Sequence, residues 1–335
     1  ASAGNATDFG DVSSAAYYVV GVSNNVRGVF ALGYVGGGVN TIEYITIAST
    51  GDSTDFGDLT STRYGSGSVA STTRGVFAGG YDSGGNDSNV IDYVTIASRG
   101  NATDFGDLTV GRSYSHGGAN SSTRGVFGSA LDGSTYLNTL DYITIASTGD
   151  ATDFGDSTAS TYGSCGLSNS TRGIFAGGQD TSGRLNIIEQ IEIATTGNAT
   201  DFGDLLTVAS FVAGTCSANP AVQNEVGFAP AAMGLLVGTG PTGSQTTIQY
   251  LDIATTGSYA MFGDIHVGAD YDQANGTIAN ATRGVFSEGA TGNTYYYSTF
   301  STKGKTTDFG DHATNSFRGI ATSNGTRGLR GGGFN

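Results

Sequence analysis

The sequence predicts an all-β chain folded as a seven-bladed β-propeller of four-stranded blades, with six blades as the fallback. The first observation is a block of four residues, DFGD, that recurs along the whole chain. Its copies lie at 8–11, 55–58, 104–107, 153–156, 201–204 and 308–311, with the variant MFGD at 261–264. Successive copies are 47, 49, 49, 48, 60 and 47 residues apart, a spacing typical of arrays of supersecondary units.

Composition is the second observation. The 335 residues include 56 Gly and no Trp, and only 13% are charged, which is too few for a disordered chain. Runs of Val, Ile, Thr, Tyr and Phe between glycine-rich turns favour strands, and no apolar pattern has the period of a helix. These features place the chain in the all-β class.

Each repeat is predicted to contain four strands, a to d. In the second repeat they are strand a at 60–70, strand b at 74–80, strand c at 89–98 and strand d at 102–108. Strand c alternates with period two, and both of its faces are largely apolar, so both should be covered by neighbouring sheets. The Phe of each FGD block and the Phe that follows RGV or RGI are expected to form the core between sheets.

The two ends of the sequence complement each other. The first residues, up to Asp11, match the end of a strand c and a strand d, while 326–333 match a strand b. We therefore expect a closed ring, which leaves no open sheet edge, with the last blade shared between the ends. One domain, 1–335, then holds blades at 12–59, 60–108, 109–157, 158–205, 206–264, 265–311 and 312–335 plus 1–11.

An ion pair between an Arg and an Asp of the same blade, called a clasp below, is predicted to join strand b to strand d. An Arg begins most copies of strand b, but the fifth unit has Met233 there and Met261 in place of the first Asp of its block. Because losing one partner of a buried pair costs about 3–5 kcal/mol while replacing both can be neutral, this joint change indicates a pair. The predicted pairs are Arg27 with Asp55, Arg74 with Asp104, Arg124 with Asp153, Arg172 with Asp201, Arg283 with Asp308, and Arg327 with Asp8.

The fifth unit also carries an insertion, 214–231, and all three prolines. Two explanations of the insertion remain open: neutral sequence drift in one repeat, and a loop that docks a partner. Cys165 and Cys216 lie in adjacent units, where two buried thiols are expected more than a disulfide.

No catalytic site is predicted. His116, His266 and His312 lie at different offsets from the FGD blocks, so they should not converge on a metal or a triad. The FGD aspartates are expected to make turn hydrogen bonds rather than calcium sites. We therefore expect no cofactor, no metal and no enzymatic activity.

Binding is expected at the variable loops between strands b and c, which mix Asp, Ser, Gly, Asn and Tyr, types suited to adaptable polar contacts. Solvated turns remain the alternative. The candidate binding residues are Tyr81, Asp82, Asp87, Asp132, Tyr136, Gln179, Asp180 and Arg184.

Net charge −15 argues against a nucleic acid or an anionic membrane as the main partner. No stretch reaches 18 apolar residues, so no membrane insertion is expected. The start of the sequence has no signal-peptide pattern.

The repeats combine a strand ending in Gly-Gly, as at Gly79-Gly80, with a strand such as IDYVTI, an aromatic residue and then an Arg such as Arg63 or Arg112. This order of features resembles the kelch repeat over nearly the whole chain. The Phe of DFGD stands where kelch repeats usually carry Trp. The segments TRGVFAGG, NVIDYVTIAS and GNATDFGDLT also resemble repeats of structural and tail-associated proteins of marine bacteriophages.

This second resemblance implies a virion component located in the virion or outside the cell. Its partners would be virion subunits, or a glycan or protein on the host surface, and a homo-oligomer remains open. The alternatives are a cellular lectin-like or scaffold propeller and, less favoured, a polysaccharide lyase or hydrolase.

Overall fold

The computed structural model describes residues 8–115, 117–216, 233–239, 247–253, 260–264, 277–279, 282–287, 294–301, 306–311, 320–323 and 327–331. Within these ranges the regular structure is entirely β, arranged as a β-propeller. The predicted all-β class and propeller architecture are thus confirmed.

The strands follow the repeats. The first unit contains β1 (Val20–Ser23), β2 (Arg27–Ala31), β3 (Thr41–Thr46) and β4 (Thr54–Asp58). The second contains β5 (Arg63–Tyr64), β6 (Gly67–Ala70), β7 (Arg74–Ala78), β8 (Tyr81–Asp82), β9 (Val90–Thr95) and β10 (Thr103–Asp107). The third contains β11 (Gly117–Asn120), β12 (Arg124–Gly128), β13 (Ala130–Asp132), β14 (Thr135–Leu137), β15 (Thr139–Thr144) and β16 (Thr152–Asp156).

The remaining strands continue this pattern. The fourth unit contains β17 (Cys165–Ser168), β18 (Arg172–Ala176), β19 (Gln179–Asp180), β20 (Gly183–Glu192) and the start of β21 (Thr200–Cys216). Next come β22 (Met233–Thr239), β23 (Thr247–Asp252) and β24 (Ala260–Asp264). The last strands are β25 (Thr277–Ala279), β26 (Arg283–Ser287), β27 (Thr294–Thr299), β28 (Thr307–Asp311), β29 (Ile320–Ser323) and β30 (Gly328–Gly331).

Five sheets of four or more strands are described. Four of them have four antiparallel strands in the order a-b-c-d, namely β1–β4, β6-β7-β9-β10, β11-β12-β15-β16 and β25–β28. The fifth has eight strands, because β21 runs without a break from strand d of the fourth unit into strand a of the fifth and pairs with both β20 and β22. The last unit contributes only the pair β29–β30. These sheets therefore do not establish the predicted count of seven blades.

Strand a of each unit lies innermost, and in the second unit this strand is β6. These inner strands contact one another in succession: β1 with β6, β6 with β11, β11 with β17, β17 with β21, β21 with β25, β25 with β29, and β29 with β1. Small residues allow the close approach, since a Cβ on Gly166 would lie 2.5 Å from the carbonyl oxygen of Gly118.

The core lies between neighbouring sheets, as predicted. One cluster joins Phe56 of the first sheet to Phe77 and Ile96 of the second, and the clusters that follow repeat this arrangement. All five Phe residues of the RGVF and RGIF segments are buried, as are Phe56, Phe105, Phe154 and Phe202 of the FGD blocks. Phe9 and Phe309 are half-buried.

The FGD block also joins each sheet to the next through the main chain. Gly149 N donates to Phe105 O at 2.7 Å, and Ala151 N donates to Asp107 O at 2.8 Å. Gly106, at φ +140°, leaves the space for this contact, because a Cβ there would lie 2.5 Å from the carbonyl of Gly149. The same pair of bonds joins 8–11 to the turn at 51–53, where Gly51 N donates to Phe9 O and Ser53 N to Asp11 O.

The predicted clasps are wrong for the first four pairs, because the Arg of each of these pairs bonds to the next unit instead. Its Nη1 donates to a main-chain carbonyl at the end of the neighbouring strand c, over 2.9–3.0 Å. The acceptors are Ile96 for Arg27, Ile145 for Arg74, Ile193 for Arg124, Ile253 for Arg172 and Ile47 for Arg327. Within its own unit the guanidinium lies 4.3–4.7 Å from a Tyr ring centroid, as for Arg27, Arg74, Arg124 and Arg283.

Sheet register explains why the predicted pairs do not form. Asp104 lies opposite Asp92, which lies opposite Phe77, so these three side chains share one face. Arg74 precedes Phe77 by three residues and therefore points to the other face. The exposed first Asp accepts a hydrogen bond from the Gly N–H of its own block instead, as at Asp8, Asp104, Asp153 and Asp201.

Two different buried ion pairs join the segment that precedes strand a to strand c. Arg63 Nη2 lies 2.9 Å from Asp92 Oδ2, and Arg112 Nη2 lies 2.5 Å from Asp141 Oδ2, with all four side chains fully buried. Burial lowers the pKa of both arginines, and the neighbouring carboxylates oppose that shift. Both pairs use the strand-c acid rather than the FGD Asp.

The odd fifth unit also differs from its prediction. Met261 is half exposed, so it occupies the solvent-facing position of the first Asp and is not part of a buried Met–Met pair. The Cys165 side chain is buried, while the side chain of Cys216 and residues 217–231 of the insertion lie outside the described part of the chain.

Candidate binding surface on the loop face

The segments between strands d and a and the loops between strands b and c meet at one end of each sheet. They are joined by short antiparallel contacts: Tyr17 with Tyr34, β5 with β8, Ser113 with Leu131, and Tyr162 with Gln179. We call this side of the first four units the loop face. Main-chain pairing holds its loops in place, so its side chains are presented from an ordered backbone.

Six tyrosines form a continuous group on the loop face. This tyrosine cluster consists of Tyr17, Tyr18, Tyr34, Tyr64, Tyr81 and Tyr114. Its ring centroids are 4.7–6.2 Å apart, the contact range of aromatic pairs. Every member is half-buried, so each ring packs against the cluster and still reaches solvent.

Tyr64 lies at the centre of the cluster. Its ring stacks on Tyr18 at 5.5 Å and meets Tyr34 edge-on at 5.1 Å. It also contacts Tyr81 of its own unit at 5.6 Å and Tyr114 of the next at 6.2 Å. The cluster therefore spans three units and does not belong to a single blade.

A second aromatic pair lies on the same face. Tyr136 and Tyr162 have ring centroids 5.4 Å apart, and the Tyr162 hydroxyl accepts a hydrogen bond from Gln179 Nε2 at 2.9 Å. This pair extends the aromatic surface toward the fourth unit.

The backbone is strained at two of the tyrosines. Tyr18 and Tyr114 have φ of 56° and 52°, a left-handed conformation that costs a non-glycine residue about 1–3 kcal/mol. The equivalent residues of the second and fourth units are Gly65 and Gly163, at φ 69° and 72°. Alternate units thus place Tyr and Gly in one backbone geometry.

Three phenol groups of this surface, those of Tyr17, Tyr114 and Tyr162, stay protonated to a higher pH than an ordinary tyrosine. Burial, followed by the neighbouring phenols, raises the pKa of Tyr17 and Tyr114 above the ordinary value. The pKa of Tyr162 is raised by burial and by Tyr136. These three phenols are therefore uncharged at neutral pH.

The predicted binding residues divide into two groups. Tyr81 joins the tyrosine cluster, while Tyr136 and Gln179 both contact Tyr162, Tyr136 through its ring and Gln179 through a hydrogen bond. The other predicted residues lie within these loops or beside them. Asp87 accepts a bond from Gly133 N of the next unit, and Arg184 Nε donates to Ser210 Oγ at 3.1 Å.

Two loop aspartates accept bonds from their own loops. Asp82 Oδ1 accepts from Asn86 N and Gly84 N, and Asp180 Oδ1 accepts from Ser182 Oγ and Ser182 N. These bonds hold the pKa of both carboxyls below the ordinary value. Asp132 lies exposed at the end of β13. The loop face is accordingly acidic around its aromatic surface.

Sequence reasoning missed most of the cluster, although a signal for it exists. Each unit has an aromatic residue six or seven positions after the last Asp of its FGD block. These residues are Tyr17, Tyr64, Tyr114, Tyr162, Phe211, Tyr271 and Phe317. The structure describes the first four side chains, of which three belong to the tyrosine cluster.

No group of three or more His, Cys, Asp or Glu side chains suited to a metal occurs within the described ranges. The three histidines lie outside those ranges, as do the fifth b–c loop beyond Thr239 and the sixth beyond Ser287. In the part of the chain that can be described, no helix is long and apolar enough to cross a membrane. No protein-family model matches the chain, and a search of curated proteins finds no significant match.

Proposed function

We propose that this protein is a non-enzymatic binding propeller with kelch-like repeats, which presents the loop face to a partner. The observation that carries the proposal is the contrast between two parts of each unit. Among the first four units the bonds between sheets repeat almost unchanged, whereas the loop face differs from unit to unit and concentrates half-buried tyrosines. Half-buried Tyr side chains are typical of recognition surfaces, because they supply a large contact area with few rotatable bonds.

The ring that holds this face is proposed to have seven units. In support, the inner strands contact one another in a cycle of seven, from β1 round to β29 and back to β1. Arg327 donates to Ile47 O as Arg27 donates to Ile96 O, so the last unit meets the first through the ordinary bond between units. Residues 8–11 bond to the first unit as strand d of a preceding unit would.

A place in a bacteriophage virion, on the tail or a fibre, is the proposed setting. Its support is the resemblance of the repeat segments to those of marine phage structural proteins. A stiff ring with ordered, variable loops suits attachment to a host surface or to a neighbouring virion subunit.

The proposal is tested with the full chain, fluorescently labelled, on a panel of marine bacterial cells analysed by flow cytometry. Saturable binding to a subset of strains, together with detection of the chain by mass spectrometry in purified virions, is the expected result. Binding to no strain together with absence from virions would contradict the proposal. Release of new reducing ends from a polysaccharide would instead assign an enzyme.

A further inference from the structure

Tyr18 and Tyr114 stand where the backbone favours glycine, and two equivalent positions are glycine. Strained residues of this kind persist only where the surroundings hold them, and they concentrate at ligand clamps and active sites. A glycine would relieve the strain in the first and third units, as it does in the second and fourth. The tyrosine side chains at these positions therefore call for a role other than forming the turn.

The alternation of Tyr and Gly lets two units share one surface. Tyr18 and Tyr114 meet edge-to-face at 5.4 Å, although the second unit lies between theirs. Gly65 leaves the necessary room, because a Cβ there would lie 3.3 Å from the Cδ1 and the backbone N of Tyr114. The side chains that meet here come from three successive units.

The shape of the cluster suits an extended ligand. Cage sites for quaternary ammonium groups place several ring faces around a cation. Here the rings contact one another directly, with Tyr18 nearly parallel to Tyr64 and Tyr34 and Tyr114 edge-on, so they form a contiguous aromatic patch rather than a cage. A ligand with a flat apolar face can lie along such a surface and bond to the phenol groups at its edges.

The charges around the cluster restrict the ligand further. The cluster is made of phenol groups alone, and the aspartates Asp82, Asp87 and Asp132 lie on the same face. An anionic ligand would be repelled by this face, whereas the hydroxyl groups of an uncharged ligand can donate to the carboxylates.

We propose that the tyrosine cluster binds an uncharged carbohydrate, with pyranose rings lying on the tyrosines. The C–H groups on one face of a sugar carry a slight positive charge and meet the negative faces of the rings, while sugar hydroxyls bond to phenols and loop carboxylates. This inference rests on the proposed display function and specifies its ligand.

Affinity electrophoresis provides the test, in native gels that contain neutral glucan, galactan or mannan, or the anionic polymers alginate and carrageenan. The expected result is retardation of the full chain by at least one neutral polysaccharide and by neither anionic one. The double variant Tyr18→Gly, Tyr114→Gly should weaken that binding by at least about tenfold, because two stacking rings are lost. Its melting temperature should stay near that of the parent, since the substitutions also remove backbone strain.

The matched control is Tyr18→Phe, Tyr114→Phe, which keeps both rings and should keep most of the binding. Retardation that is unchanged in the glycine variant would overturn the proposal, as would the absence of retardation by every neutral polysaccharide. Loss of the retardation when choline is added to the gel would also overturn it, because it would indicate a cation site. If the double glycine variant does not melt cooperatively, Tyr114→Gly carries the same test. Cell binding without neutral-glycan binding would contradict this inference alone, whereas glycan binding without cell binding or presence in virions would contradict only the proposed function.

Discussion

Arg112 and Asp141 illustrate how single residues secure each unit. Asp141 accepts hydrogen bonds from Thr109 N and Oγ1 as well as the ion pair from Arg112. In the fourth unit Thr161 replaces the Arg, and Glu189 takes the place of the Asp and accepts both bonds from Thr158. The Arg is thus present where the strand-c acid is Asp, and it is absent where that acid is the longer Glu.

This substitution pattern predicts the behaviour of two variants. Arg112→Thr leaves Asp141 buried without its partner and should lower the free energy of unfolding by about 3–5 kcal/mol. Adding Asp141→Glu recreates the arrangement of the fourth unit and should restore most of the loss. Urea unfolding followed by circular dichroism measures both, and a double variant less stable than the single one would contradict the interpretation.

The tyrosines predict a dependence on alkaline pH. Burial and neighbouring phenols raise the pKa of Tyr17, Tyr114 and Tyr162 above the ordinary value of 10. Their contribution to stability is therefore complete below pH 10 and is lost as the pH rises through the folded pKa, because the unfolded phenols ionise first. Absorbance at 295 nm should show fewer ionised tyrosines at pH 11 in the folded protein than in urea, and equal numbers would contradict the prediction.

The wrong clasp predictions show which side-chain contacts cannot be recognised from the sequence. Arg27, Arg74, Arg124 and Arg172 each donate to a main-chain carbonyl, which every residue type provides, so the identity of the acceptor leaves no mark in the sequence. The joint change to Met233 and Met261 consequently suggested a partner that these four arginines do not have. The pairing of Arg63 with Asp92 was recoverable, because the presence of that Arg varies with the choice of Asp or Glu.

At the scale of the element, the sequence predicted strands b, c and d of the second unit closely, because their apolar alternation is set by burial on both faces. Strand a was predicted at 60–70 but is β6, Gly67–Ala70, preceded by the two residues of β5. The first part of the segment pairs with β8 on the loop face rather than with strand b. That pairing joins segments distant in sequence and leaves no periodic pattern.

The contact between each FGD block and the next turn supplies a prediction with an internal control. Gly106→Ala and Gly100→Ala both place a Cβ at φ near +140° to +150°, but only the first meets a neighbouring carbonyl. Both should lose about 1–3 kcal/mol from backbone strain, and Gly106→Ala should lose a further 1–3 kcal/mol or so from the clash. Thermal and urea unfolding of the two variants measure the difference, and equal losses would show that the contact between sheets does not form.

At the scale of the whole molecule, ring closure can be tested at one residue. Arg327→Ala removes the bond to Ile47 O and should lower stability by about 1.5–3 kcal/mol, the usual value of a hydrogen bond to a charged group. Arg27→Ala, which removes the equivalent bond between the first two units, is the matched control. A loss at Arg27 without one at Arg327, measured by urea unfolding, would favour an open array.

The contacts that repeat between successive sheets also bear on how such a chain can evolve. Because the junctions among the first four units use the same glycine, the same main-chain bonds and the same arginine, a segment of 47–49 residues carries all that it needs to join its neighbours. Duplication or exchange of one segment by recombination then creates no new kind of junction. Loop sequences can diversify with each such event, so the molecule can change what it recognises while its framework is inherited intact.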